Sequence, residues 1–266
     1  METLRARYAP LLAAVLVICG GEHVHAQDSF ADAFWQYRVS TGFDFSSGSY
    51  GATKDTEILY IPVTLQAAKG PWTLKATVPW VRVSGPALLI DGAGESIPGL
   101  RTSGAASGFG DVALSATYAL DRFANAGLYL DLTARVKAPT ASFAKGLGTG
   151  AWDGAVQLDI AKTLGDFMPF ATLGYRVSGQ PRGFRLRNVV YGSIGLQYTF
   201  NETVTAGLSY DVRQAALRTA RNPQEGTGYV NFKLSEDWAL NLYGVAGFSE
   251  NSPNIGGGAI ISYRWR

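Results

Sequence analysis

The sequence has very few of the residues on which most side-chain chemistry depends. Its 266 residues include one cysteine, Cys19, and two histidines, His23 and His25. All three lie within residues 1–26, which are predicted below to be a secretion signal. The remaining chain would hold no disulfide, no thiolate or imidazole metal ligand and no histidine base for hydrolysis. We therefore predict a protein with no metal, no cofactor and no enzymatic activity.

Charge is also scarce, and its two signs are balanced. Charged residues make up 17% of the chain and the formal net charge is +2, whereas an average soluble protein has about 25% charged residues. No cluster of basic residues stands out along the chain. The composition therefore argues against nucleic acid as a partner.

The chain also lacks an apolar run long enough to cross a membrane as a helix, which takes about 20 residues. Its longest apolar block, residues 11–18, follows Arg5 and Arg7 and precedes Val24-His25-Ala26. This order predicts a Sec-type signal peptide over residues 1–26 and one exported domain over residues 27–266. A lipoprotein signal ending at Cys19 is the less favoured alternative, because Ile18 stands where such signals carry Gly, Ala or Ser.

What the sequence does have is a regular alternation of apolar and polar residues. The run from Asn125 to Pro139 shows it best, with Leu128, Leu130, Leu132, Ala134 and Val136 at one set of alternate positions and Tyr129, Asp131, Thr133, Arg135 and Lys137 at the other. As a strand, this run has one apolar and one polar face. Similar runs recur almost to the end of the chain, and no long segment with helical period interrupts them.

These runs predict twelve strands. They cover residues 34–45, 55–68, 72–84, 108–120, 125–139, 151–164, 167–178, 188–200, 203–215, 226–234, 238–248 and 255–265. The connections alternate between short turns and longer loops, and this asymmetry with an even strand count is typical of barrels in an outer membrane. We therefore predict an all-β fold, a transmembrane antiparallel up-and-down β-barrel of about 12 strands. A soluble all-β fold is the alternative.

The polar faces of the predicted strands carry charges of both signs. We predict that these residues line the barrel lumen: Lys75, Asp131, Arg135, Lys137, Asp153, Asp159, Arg176, Asp211 and Arg213. One role for them is a lattice of ion pairs and hydrogen bonds that stiffens the barrel, and we favour it for any single charge. The other is a pore lining that selects solutes by size and polarity, and the two roles are compatible. Asp153 and Asp159 lie about 20 Å apart along one strand face, which is too far for a glycosidase pair.

Four short motifs point to a family. They are Gly108-Phe109-Gly110-Asp111, Arg135-Val136-Lys137-Ala138-Pro139-Thr140, Lys145-Gly146-Leu147-Gly148-Thr149-Gly150 with Asp153, and Pro169-Phe170-Ala171-Thr172-Leu173-Gly174-Tyr175-Arg176. Across about residues 108–198 the chain resembles the outer-membrane proteins of the meta-pathway phenol-degradation transporter family. The resemblance implies an outer-membrane barrel for the uptake of aromatic or other small hydrophobic compounds.

Together these observations predict an outer-membrane channel for the passive uptake of small solutes. Such a protein would contact outer-membrane lipid and would be inserted by the barrel-assembly machinery. The alternative is a non-conducting structural or surface-interaction barrel, with its lumen filled by the charged lattice.

Overall fold

The computed structural model describes residues 34–86, 88–90, 96–98, 104–181, 183 and 185–266. The predicted signal peptide lies outside these residues. Within them the strands are β1 (Gln36–Gly48), β2 (Thr56–Lys69), β3 (Trp72–Gly85), β4 (Leu88–Ile90), β5 (Ser96–Pro98), β6 (Gly104–Phe109), β7 (Val112–Ala119), β8 (Leu128–Ala138), β9 (Asp153–Lys162), β10 (Phe167–Val177), β11 (Val189–Thr199), β12 (Val204–Arg213), β13 (Gln224–Lys233), β14 (Trp238–Gly247) and β15 (Ile255–Trp265). Short 3-10 helices span Asp121–Ala126 and Phe143–Lys145. No helix in the described part of the chain is long and apolar enough to cross a membrane.

The large sheet closes on itself because the first and last strands pair. Strand β1 pairs with β2 on one side and with β15 on the other, in a register that runs from Tyr37 opposite Trp265 to Ser47 opposite Ile255. Strands β7 to β15 each pair antiparallel with the next. Strands β1 to β3 and β7 to β15 each pair on both sides, so the backbone amides of this wall are hydrogen-bonded even where no water reaches them, whereas β6 pairs only with β3.

Two successive strands, β6 and β7, together fill one strand position of the barrel. Both β6 and β7 pair with β3, β6 through Trp80 opposite Phe109 and β7 through Thr77 opposite Ala113. Three residues between these pairs, 110–112, face two residues of β3, so the wall carries a β-bulge at this point. When β6 and β7 are counted as one strand, twelve strands form a closed antiparallel barrel, which confirms the predicted fold class.

Each predicted strand coincides with an observed one to within three residues at either end, except at the start of the fourth. That strand begins at Gly104 rather than at residue 108, because residues 104–109 extend the pairing along the end of β3. The loop predicted over residues 85–107 is therefore shorter than expected. It also contains a small hairpin, in which residues 88–90 pair with residues 96–98.

The wall has an apolar outer face and a largely polar inner face, as the alternation predicts. Leu132 is 52% exposed on the outside, whereas its neighbour Thr133 is 5% exposed and shares a 2.9 Å hydrogen bond with the inward Thr117. Ile194 and Leu208 are also well exposed on the outer face. Apolar side chains in such numbers on the outside of a wall suit contact with lipid hydrocarbon.

Aromatic side chains form a partial girdle around the end of the barrel that carries the short turns, which we call the short-turn end. The rings pack in neighbouring pairs, with centroids 4.9 Å apart for Trp72 and Tyr118 and 4.8 Å apart for Trp238 and Tyr263. Tyr37 continues this row, since its ring stacks on Trp265 across the closing seam. Amphipathic rings concentrate at membrane–water interfaces, so this girdle marks one edge of the membrane-spanning wall.

Candidate transport lumen

All nine charged residues predicted to line the lumen lie on inward positions of their strands. Four are buried and five are partly exposed; the buried set is Asp131, Lys137, Asp153 and Asp159, and the partly exposed set is Lys75, Arg135, Arg176, Asp211 and Arg213. The predicted residues do not form one site. Six of them fall into three separate groups of two on the inner wall, and the first group lies near the end opposite the short turns, which we call the long-loop end.

Lys137 lies at the centre of that group. Its Nζ atom is 3.0 Å from Asp111 Oδ2 and 2.8 Å from Asp153 Oδ2, and it also donates a hydrogen bond to Thr149 Oγ1. The lysine and both carboxylates are almost completely buried. We call these four residues the Lys137 cluster. Its ammonium compensates two carboxylates that solvent barely reaches, so each partner depends on the others being present.

The cluster fastens several backbone segments at the long-loop end. Asp111 Oδ1 accepts a hydrogen bond from the Ala141 N–H at 2.9 Å, and Asp153 Oδ1 accepts one from the Gly179 N–H at 2.7 Å. Gly148 also belongs here, since a Cβ atom at that position would lie 2.7 Å from Asp111 Oδ1. Residues from three of the sequence motifs therefore meet at one place, and the motif glycine is required because the Asp111 carboxylate lies against it.

A second group lies towards the short-turn end. Asp159 accepts hydrogen bonds from Gln157 Nε2 at 2.8 Å and from Thr172 Oγ1 at 2.6 Å, and Gln157 in turn accepts one from the Tyr191 hydroxyl at 3.0 Å. Asp131 stands directly opposite Asp159 in the pairing of β8 with β9. These hydrogen bonds join β9, β10 and β11 and fit the stiffening role predicted for the inward charges.

A third group occupies the wall that runs from β12 through β13, β14 and β15 to β1. Arg213 Nη2 lies 3.1 Å from Glu225 Oε1, and Asp211 accepts a 2.9 Å hydrogen bond from Ser209. The Tyr243 hydroxyl on β14 reaches across β15 and donates to Asp44 Oδ2 on β1 at 2.6 Å. The inner wall therefore presents acids, bases and hydroxyls on this side too, and Asp211 and Arg213 remain partly exposed to the lumen.

The inner face also contains an apolar group that the sequence analysis did not single out. Ala161, Met168, Phe170 and Tyr229 are buried together, and the partly exposed rings of Tyr129 and Tyr243 pack against them. Met168 and Phe170 share their alternation phase with the inward Thr172, so the sequence did carry the signal for their orientation. Part of the lumen is therefore lined by aromatic rings rather than by charges.

Phe170 lies flat against the wall because the neighbouring strand has a glycine beneath its ring. A Cβ atom at Gly195 would lie 2.2 Å from Phe170 Cζ, so the Gly195→Ala substitution must push the ring into the lumen. We expect it to lower the free energy of unfolding by about 1–3 kcal/mol, as for other overpacked sites. Denaturant unfolding of the detergent-folded protein measures this.

Gly154→Ala is the matched control, because a Cβ atom there would have no neighbour within 4 Å. A loss of the same size in both variants would show that strand glycines, rather than the ring contact, determine the effect.

The geometry defines the class of protein as a twelve-stranded outer-membrane barrel with a polar and partly aromatic lumen. The chain matches the family described as "Putative MetA-pathway of phenol degradation" over residues 27–265, and it belongs to that family. No curated protein matches it by sequence. The family match confirms the resemblance seen in the motifs and extends it over nearly the whole barrel.

Solved structures share the fold at low sequence identity. An outer membrane channel from Pseudomonas putida F1 has a TM-score of 0.64 and 17% identity, with 91% of this chain and 100% of that chain covered. The NanC porin has a TM-score of 0.54 and 11% identity, with coverage of 86% and 100%. The KdgM porin solved with oligogalacturonate has a TM-score of 0.53 and 9% identity, with coverage of 86% and 99%. These similarities support the architecture.

Proposed function

We propose that this protein is a passive channel of the outer membrane for small solutes. The observation that carries the proposal is the inner wall, where the cationic side chains of Lys75, Arg135, Arg176 and Arg213 remain partly exposed inside a closed barrel with an apolar outer face. Inward polar groups that stay accessible give water and solutes a path across the hydrocarbon layer. We place the short-turn end on the periplasmic side, as in other outer-membrane barrels.

The solutes we propose are small aromatic or otherwise hydrophobic compounds. Membership of a phenol-degradation family supports this class, and so do the partly exposed rings of Tyr129 and Tyr243. A planar solute can stack on such rings while its polar substituent bonds to the neighbouring hydroxyls and carboxylates. The proposal assigns the protein no catalytic role.

The route to the membrane is part of the same proposal. Residues 1–26 act as a cleaved signal peptide, and the barrel-assembly machinery then inserts residues 27–266 into the outer membrane. The nine predicted lumen residues form part of the inner wall, and only those that stay exposed contact solute. Lipid surrounds the outer face.

A planar lipid bilayer tests the channel directly. We expect the purified barrel to give discrete single-channel currents, and phenol added to one side is expected to reduce them by competing for the aromatic part of the lumen. A small sugar at the same concentration is the control. Absence of both current and solute-dependent liposome swelling, for a barrel shown to be folded, would overturn the proposal.

A non-conducting structural barrel is the second candidate. It is favoured by the hydrogen-bonded network of Tyr191, Gln157, Asp159 and Thr172, because the last three of these side chains are buried and occupy space inside the barrel. The bilayer experiment separates the two, since a filled barrel gives a folded protein without current.

A further inference from the structure

The loop between β8 and β9, residues 139–152, folds into the mouth of the barrel. Its Leu147 is 1% exposed and packs in one cluster with Ile58, Val81, Val83 and Tyr50. Ile58, Val81 and Val83 are inward residues at the long-loop ends of β2 and β3, and each is at most 2% exposed. Inward side chains at an open mouth would be accessible, so the loop covers them from the lumen side.

The same loop also reaches towards the opposite side of the mouth. Phe143 packs against Leu186, which in turn contacts Ala216 and Leu217 of the loop between β12 and β13. Leu186 belongs to the loop between β10 and β11. The strands that follow β2 around the barrel are β3, β6–β7 counted as one, β8, β9, β10 and β11. Strand β11 is therefore the sixth of twelve from β2 and lies opposite it. Contacts on both sides mean that residues 139–152 lie across the opening.

Both ends of this loop are tied to the wall. At its start, Thr140 donates a hydrogen bond to the Gly110 carbonyl at 3.1 Å and the Ala141 N–H bonds to Asp111. At its end, Thr149 accepts the hydrogen bond from Lys137. These anchors include the buried Lys137 cluster, so the loop has no free hinge on which to swing outward.

Neighbouring loops complete a connected layer around it. Asn251 donates to the Tyr50 carbonyl at 3.2 Å and accepts from the Arg221 N–H at 2.8 Å, and Arg187 donates to Asn222 Oδ1 at 3.2 Å. The buried Tyr50 hydroxyl donates to Ser46 Oγ at 2.9 Å, and burial raises its pKa to about 12. The loop across the mouth is therefore braced from the side as well as at its ends.

We propose that residues 139–152 form the fixed, size-limiting constriction of this channel, with Leu147 as the anchor that holds the loop inside. This inference rests on the proposed function. Solutes pass beside the loop, and the width left by it determines which molecules enter. The constriction acts by exclusion, because its anchors are buried and give it one position.

The test is a shortened variant in which residues 142–148 are replaced by two glycines, which keeps Lys137, Thr149 and Asp153. Because ionic current follows the width of the narrowest section, we expect the single-channel conductance to rise at least about twofold. We also expect liposome swelling to extend to solutes, such as a trisaccharide, that the unaltered channel excludes. Leu147→Ser releases the anchor at full loop length and is expected to shift both measurements in the same direction by less.

Lys145→Ser is the matched control, since Lys145 is exposed in the same loop; it should leave conductance and size limit unchanged. Equal conductance and size limit in the unaltered and shortened channels would overturn the inference while the proposed function stands. If the shortened variant gives current and the unaltered protein gives none, the loop is the barrier and the unaltered channel is not open. Absence of current from every folded variant defeats the proposed function itself. If the shortened chain does not fold, Leu147→Ser decides between these outcomes.

Discussion

Replacing Lys137 with methionine is expected to lower the free energy of unfolding of the barrel by about 3–5 kcal/mol, the usual cost of removing one partner from a buried ion pair. The substitution leaves Asp111 and Asp153 buried within 3.0 Å of the missing ammonium. Methionine is similar in length to lysine, so the loss reflects the uncompensated carboxylates rather than an empty volume. Urea unfolding of the barrel in lipid vesicles, followed by tryptophan fluorescence, measures it.

Two further variants separate charge from packing. Lys233→Met removes a lysine from a surface ion pair whose glutamate, Glu236, is 83% exposed, and it should leave stability nearly unchanged. The triple variant Lys137→Met, Asp111→Asn, Asp153→Asn removes the buried negative charge and should recover much of the loss. Equal effects of Lys137→Met and Lys233→Met would show that the buried cluster is no more important than a surface pair.

Most of the wall could be predicted from the sequence because lipid on one side and a lumen on the other impose a strict period of two. Leu132 and Thr133 are adjacent in sequence and face opposite solvents, so even one such pair gives the phase of a strand. Short turns such as the one after Lys69 fix where a strand ends. This is why β15, with its alternating Ile261 and Tyr263, was predicted at its observed limits.

The bulge at residues 110–112 could not be predicted in the same way. It lies opposite Pro79, which has no backbone N–H to give to the neighbouring strand, and the Gly110 N–H bonds to the Pro79 carbonyl at 2.9 Å. The alternation of hydrophobicity does not record one extra residue in a partner strand. Asp111 is one of the three bulge residues and contacts Lys137, so the lumen cluster lies beside a feature that the pattern leaves open.

Which lumen charges pair with each other could likewise not be predicted from the sequence. Alternation placed Lys137 and Asp153 on the inner wall, but their pairing requires them to be directly opposite in the β8–β9 ladder, as the structure shows. A loop of fourteen residues joins these strands, and a loop of that length does not determine register as a two-residue turn does. The inward position of each charge was therefore predictable and its partner was not.

The Ile194→Arg substitution is expected to lower the free energy of unfolding by about 2–4 kcal/mol, as for charges at the midplane of other barrels. Ile194 is 66% exposed on the outer face and lies in the middle of β11. In the membrane an arginine there must give up its hydration or distort the lipid around it. Folding into vesicles at increasing urea, with the unaltered barrel as reference, measures the cost.

Ser193→Arg is the control that makes this result specific to orientation. Ser193 is the preceding residue and faces the lumen, where it stands opposite Asp211 in the β11–β12 ladder. An arginine at that position keeps access to water and gains a carboxylate neighbour, so we expect a much smaller loss. Because the two variants differ by one residue along the same strand, they share depth, strand pairing and added charge. A larger loss at position 193 than at position 194 would mean that β11 presents the other face to the membrane, and the assignment of every lumen residue would then reverse.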